Sequence, residues 1–404
     1  MTAVRAAHRT DEVIPLLSTL SSPVAAITDL EVLDALDMAV TQVRRNLPDF
    51  TYRSQHHSSV GNFYAPADNN DWTNGFWPGT IWLAYEHTGD KIFRYAGQIQ
   101  VQSFLHRIEN RIVVDHHDMG FLYSPSCVSA WKLVGDLDGR RAALMAAEQL
   151  MSRFQPVGQF IQAWGQTGRP EEYRYIIDCL LNLPLLYWAS DETGRTDFRD
   201  VALRHARTTL ANSIRPDDST YHTFFMDPVT GAPVRGVTVQ GYRDDSSWAR
   251  GQAWAIYGMA LSYRYEPLPE YRDAFERLLA FYVKRLPSDL VPYWDLIFTE
   301  GDEPRDSSSA AIVACGLLEM ADLVGGDDAR RLRDLARRMV GSLVRNYAVT
   351  DLTTSNGLVL HGTYSRKTPY NSCIGEGVDE CVSWGDYYYM EALTRLRGNW
   401  ATYW

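Results

Sequence analysis

Asp178 is the one carboxylate in the run Tyr173-Arg174-Tyr175-Ile176-Ile177-Asp178-Cys179-Leu180-Leu181-Asn182-Leu183-Pro184-Leu185-Leu186-Tyr187-Trp188. A run that is apolar on every side is buried if it is helical. Burial disfavours the charged form, so the pKa of Asp178 is expected to rise. Such a carboxyl can hold a proton near neutral pH and donate it. The competing expectation is a structural aspartate that caps a helix start or pairs with an arginine. A second carboxylate, Asp118, lies among polar and aromatic residues in Asp115-His116-His117-Asp118-Met119-Gly120-Phe121-Leu122-Tyr123-Ser124. One protonated and one ionised carboxyl group is the pairing that glycan cleavage commonly needs.

Other side chains fit the same chemistry. Trp72, Trp164 and Trp254 could be stacking platforms for a ring or core aromatics. His222 could bond a hydroxyl, shuttle a proton or be a satisfied structural histidine. Arg250 could grip a ligand carboxylate with two parallel bonds, or neutralise Asp244 or Asp245 inside the protein. His116-His117-Asp118 hints at a metal, but adjacent histidines diverge and no third-ligand pattern accompanies them, so no metal is expected. No phosphate-binding loop, dinucleotide fingerprint or nucleophile elbow is present.

The elements that must position these residues come in pairs. Apolar segments rich in small residues begin near Trp77, Ser124, Asp178, Trp248, Ser307 and Trp384. Amphipathic segments follow five of them, near Lys91, Arg140, Asp197, Glu270 and Asp328. An inner and an outer helix should differ in this way. Gly- or Asp-rich turns join the partners. The amphipathic segment Leu30–Leu47 supplies the missing sixth outer helix. Six pairs predict an all-α fold, an (α/α)6 barrel in a single domain, with residues 1–29 as an N-terminal extension and 30–404 as the barrel. An open solenoid is the rival architecture. Asp71, Trp72, Asp118, Trp164, Asp178, Asp244, Asp245, Arg250, Asp306 and Trp384 fall at or just before inner-helix starts, so one end of the ring should gather them. Helix N-termini at that end suit a ligand that carries a carboxylate.

Composition narrows the partners. The 404 residues carry a net charge of −11, which argues against a nucleic-acid backbone. The five cysteines form no CxxC pair, so neither a disulfide framework nor a zinc site is indicated. No signal-peptide core precedes residue 20, and no stretch reads as long and apolar enough to span a bilayer, so a cytoplasmic setting is expected. Aromatic residues reach 12%, with 12 Trp and 23 Tyr, which suits a sugar pocket or a large core.

The runs DWTNGFWPGTIWLAYEHTGD, DHHDMGFLYS, IIDCLLNLPLL, DDSTYHTFFMDP, SSWARGQAWAIYG, RDSSSAAIVACGLLE and WGDYYYMEAL resemble the unsaturated glucuronyl hydrolases, glycoside hydrolase family 88. The resemblance spans Asn69 to Leu396. It implies an (α/α)6 barrel that removes a Δ4,5-unsaturated uronic acid from the non-reducing end of oligosaccharides made by polysaccharide lyases. It implies that Asp178 is the general acid/base and Asp118 the second essential carboxylate. Trp72, Trp164, His222, Gln240, Arg250 and Trp254 match residues that line the family's sugar pocket. The implied reaction hydrates the C4=C5 enol ether and needs no cofactor. Members that prefer sulfated fragments carry a Ser-x-x-Ser-x-Lys run near the C-terminal loop; here Pro369–Gly377 lacks the lysine and adds Glu376. Two other readings stay open: an unsaturated rhamnogalacturonyl hydrolase, and a glycan-binding barrel without activity.

Overall fold

Three of the turns between paired helices share one logic. Gly89, Gly135 and Gly194 end apolar helices in the left-handed region, with φ of 68°, 66° and 73°. Glycine adopts that conformation without the Cβ penalty. At two of these turns the next residue, Asp90 or Asp136, caps the following helix by accepting an amide N–H, from Ile92 at 3.0 Å or from Gly139 at 2.9 Å.

The computed structural model of the chain describes residues 22–398 and 400–404. Its helices are α1 (Asp29–Phe50), α2 (Phe76–Thr88), α3 (Lys91–Glu109), α4 (Met119–Tyr123), α5 (Ser129–Val134), α6 (Leu137–Ser152), α7 (Leu183–Thr193), α8 (Thr196–Asn212), α9 (Ala249–Tyr265), α10 (Pro269–Val283), α11 (Ser307–Val324), α12 (Gly326–Ser342) and α13 (Ser383–Arg397). The inner ring runs α2, α4–α5, α7, α9, α11, α13 and back to α2. The outer helices α3, α6, α8, α10 and α12 each pack on the inner helix before them, and α1 packs on α13 and α2. The ring therefore closes and is not an open solenoid. The inner helix α11 is buried without a break from Ser307 to Ala321, whereas α12 buries only one face. A capping box holds the start of α1: the Thr28 hydroxyl accepts from Glu31 N–H at 3.2 Å, and the Glu31 carboxylate accepts from Thr28 N–H at 2.8 Å.

Three findings differ from the sequence reading. Helix α11 is long and apolar enough to cross a membrane, with mean hydropathy 1.5 over 18 residues, but 83% of it is buried as a stave of the ring. The run around Asp178 is three elements, not one helix: a strand Arg174–Ile176, a 3₁₀ turn Ile177–Leu181, and α7. Pro184 at the start of α7 has no N–H to give to a helix running through from Asp178. A three-stranded sheet, Arg174–Ile176, Thr223–Met226 and Pro233–Val237, and a hairpin, Gly362–Ser365 with Glu376–Glu380, occupy the loops that lead into inner helices. The segments Val291–Trp294 and Gly357–Leu360 contribute only isolated bridges, at Tyr293 and Val359. Most of the expected N-terminal extension lies outside the described residues.

Candidate active site

The two carboxylates enter the barrel from neighbouring inner segments. Asp118 is the residue before α4, and Asp178 is in the 3₁₀ turn before α7. Asn182 ties the segments together: its Oδ1 accepts from Phe121 N–H at 2.8 Å and its Nδ2 donates to the Asp178 carbonyl at 3.2 Å. Gly120 is needed for that approach, because a Cβ there would lie 2.4 Å from the Asn182 Cα.

Their environments push the pair apart. Burial, and then the negative charge of Asp118, raise the Asp178 carboxyl to about 7, against the pull of Arg250 and the Trp254 indole. Asp178 Oδ1 and Trp254 Nε1 are both buried without a hydrogen-bond partner, so neither atom is saturated. Burial also acts on Asp118, but His117, His116 and Arg107 outweigh it and hold Asp118 below the usual carboxylate range. His117 Nε2 lies 3.3 Å from Asp118 Oδ1, and His116 Nδ1 lies 3.1 Å from Oδ2. Burial lowers His117 to about 4, so a neutral imidazole stands beside Asp118. Asp386 is a useful contrast. Burial raises it to about 7 as well, yet Tyr64 O–H at 3.0 Å and Val359 N–H at 2.9 Å saturate it, as expected of a structural carboxyl.

The remaining expected residues sort by exposure. Trp72 is half-buried, stacks on Trp384 at 5.3 Å and donates from Nε1 to Tyr364 Oη at 3.2 Å. Trp164 is half-buried and stacks on His116 at 4.6 Å, so it also steadies Asp118 from behind the histidine. Trp254 is fully buried beside Phe121 and offers no open face, which removes it as a stacking platform. Burial, and then the charge of Arg250, lower His222 to about 3, with Gln240 beside its ring. His222 Nδ1 accepts from Thr223 O–H at 2.8 Å and Val239 N–H at 3.3 Å, so His222 is a fixed neutral donor and not a proton shuttle. Arg250 does not neutralise Asp244 or Asp245. It pairs with Asp306 at 3.0 Å and donates to the carbonyls of Thr363 at 2.5 Å and Tyr364 at 2.6 Å. Its guanidinium lies between Trp248 and Trp384 with Nε unpartnered. Among the described residues no three His, Cys, Asp or Glu side chains gather as a metal site.

A family model described as Glycosyl Hydrolase Family 88 matches residues 47–394. The chain belongs to glycoside hydrolase family 88. This family 88 glycosidase is 48% identical over 377 residues to an unsaturated chondroitin disaccharide hydrolase of Streptococcus pyogenes serotype M1, covering 93% of each chain. The crystal structure of unsaturated glucuronyl hydrolase from Streptococcus agalactiae superposes with a TM-score of 0.91 at 42% identity, covering 98% of both chains. A variant of that enzyme solved in complex with dGlcA-GalNAc6S gives a TM-score of 0.84 at 38% identity over 100% of each chain. The sequence reading of the glycosidase missed Asn182, Tyr364 and the role of Asp306. Asn182 had a signal, a lone amide four residues after Asp178 in the same apolar run. The partnership of Arg250 with Asp306 and with the hairpin carbonyls joins three distant segments and left none.

Proposed function

We propose that this glycosidase removes a Δ4,5-unsaturated uronic acid from the non-reducing end of lyase-made oligosaccharides by hydrating the C4=C5 enol ether. The observation that carries the reading is a buried Asp178 carboxyl, raised to about 7 and with Oδ1 unpartnered, in the field of an Asp118 held below the usual carboxylate range. Asp178 gives its proton to C4 while it takes one from the water that adds at C5. The C5–O bond forms as the C4=C5 π bond is lost to the new C4–H bond. The resulting hemiketal opens, and the glycan is expelled from C1. A single carboxyl with a pKa near the working pH suits both halves of this exchange. Asp118, held by His116 and His117, binds ring hydroxyls; Trp72 and Trp164 flank the ring; His222 and Gln240 complete the polar wall. The free Nε–H of Arg250 and its charge favour the substrate carboxylate.

A hexosamine disaccharide is the natural substrate class on this reading, since similar proteins are named for chondroitin disaccharides and one is solved with dGlcA-GalNAc6S. That favours a glucuronyl over a rhamnogalacturonyl hydrolase. Five buried, unpaired cysteines suit a reducing cytoplasm, and the charge of −11 suits a partner other than nucleic acid. The test is loss of enol-ether absorbance when lyase-made disaccharides are added to the protein. A glycan-binding barrel would leave the absorbance unchanged.

A further inference from the structure

We propose that Asp71, His57 and Glu376 form a subsite at the barrel mouth for the sugar that follows the cleaved uronate, and that it selects a hexosamine with a free, protonated amine over its N-acetylated form. The proposal rests on the hydrolase reading above. The hairpin that carries Glu376 is anchored at several points. Glu380 accepts from Gly61 N–H at 2.8 Å and Asn62 N–H at 2.9 Å, and Arg250 holds the carbonyls of Thr363 and Tyr364. Gly377 passes so close to Ser58 that a Cβ would lie 2.6 Å from the serine Cβ. Glu376 is therefore presented by a fixed backbone.

His57 faces it. The residue is 8% exposed and its Nε2 has no hydrogen-bond partner, while Glu376 Oε2 stands 3.5 Å away. The ring is packed between His56 at 3.9 Å and Tyr364 at 4.7 Å. Tyr364 in turn accepts from Trp72 and lies beneath the Arg250 guanidinium, whose charge bears on Asp178. The cluster thus sits one layer out from the catalytic pair. Asp71, next to Trp72, uses Oδ1 on Thr73 N–H at 3.0 Å and Thr73 O–H at 2.8 Å, and Oδ2 has no hydrogen bond among the described residues.

Neighbouring cations are spent elsewhere. Arg107 donates to the carbonyls of Ile112, Val113 and Asp71 and to Asn69 Oδ1. Arg366 pairs with Glu303, and Lys367 donates to the Asn371 carbonyl. His56 makes no bond to Glu376, and its Nδ1 lies 3.0 Å from the Ser58 carbonyl oxygen. Two half-desolvated carboxylates and an unsatisfied neutral imidazole are left. An ammonium brings three donors to that set, whereas an acetamido group brings one and adds bulk.

Unsaturated uronyl–glucosamine and uronyl–N-acetylglucosamine disaccharides, prepared with a heparin lyase, test this. The wild-type kcat/KM should be higher for the free amine. In Glu376→Gln, and in Asp71→Asn, the ratio of amine to N-acetyl should fall about 10-fold, the factor carried by one hydrogen bond to a charged group. Calorimetric binding of both disaccharides to Asp178→Asn, with and without Glu376→Gln, reads the same ratio without turnover. A ratio that neither substitution moves overturns the subsite. Failure of the wild type to consume these disaccharides and an unsaturated chondroitin disaccharide alike overturns the hydrolase reading instead, and the binding ratio still decides the subsite.

Discussion

Replacing Asp178 with asparagine should stabilise the protein, and more so as the pH rises. The shape is nearly unchanged, but a buried carboxyl that titrates at about 7, against 3.8 for an open-chain aspartate, is removed. Each pH unit between the two values is worth about 1.4 kcal/mol. The folded state binds this proton more tightly than the unfolded chain does. The contribution of Asp178 to stability is therefore greatest below the unfolded pKa and is lost as the pH rises through the folded one. By that linkage the ionised group costs the fold ~4 kcal/mol at alkaline pH, and ~2 to 3 kcal/mol of the loss falls between pH 5 and pH 8. Denaturant unfolding of wild type and Asp178→Asn at those two pH values measures it. The advantage of the variant should grow by that amount between them. An advantage that does not change with pH, or a variant less stable than wild type at pH 8, would refute the argument that desolvation sets the pKa of Asp178.

Other expectations follow from the same geometry. Asn182→Ala removes both bonds that join the carboxylate segments and leaves Phe121 N–H buried and unpaired, so it should lower kcat by at least about 10-fold with a smaller change in KM, measured by initial rates. Prolonged chelator treatment should leave activity intact, because His116 and His117 are engaged with Asp118; activity lost to chelation and restored by one divalent ion would overturn this. An unsulfated unsaturated chondroitin disaccharide should have a higher kcat/KM than its 6-sulfated counterpart at low salt, where screening is weak, because a sulfate would meet Glu376 and Asp71. Faster turnover of the sulfated sugar would show that Lys367, on the same loop, reaches it.

The ring was legible because its signals are local and repeat. Apolar and amphipathic segments alternate, and Gly-Asp pairs at residues 89–90 and 135–136 stop one helix and cap the next. The burial of Asp178 was legible for the same reason, from its apolar neighbours. The break of that run into strand, 3₁₀ turn and helix was not, since periodicity does not separate a buried strand from a buried helix. Nor was the engagement of Arg250, because Asp306 and the carbonyls of Thr363 and Tyr364 are remote in sequence, and Asp244 and Asp245 were the acids at hand. Trp254 shows the limit of residue type: a tryptophan at an inner-helix start can face a ligand or the core, and here only its N–H is turned toward the site.

The central claim is that protonated Asp178 performs the hydration, and the rate of enol-ether absorbance loss in wild type and Asp178→Asn, followed across pH, tests it most directly. The wild-type rate should decline above about pH 7, where Asp178 gives up its proton. Asp178→Asn should lose about 10²–10⁴-fold or more in kcat while still binding the disaccharide. Turnover by Asp178→Asn within a few-fold of wild type would contradict the account.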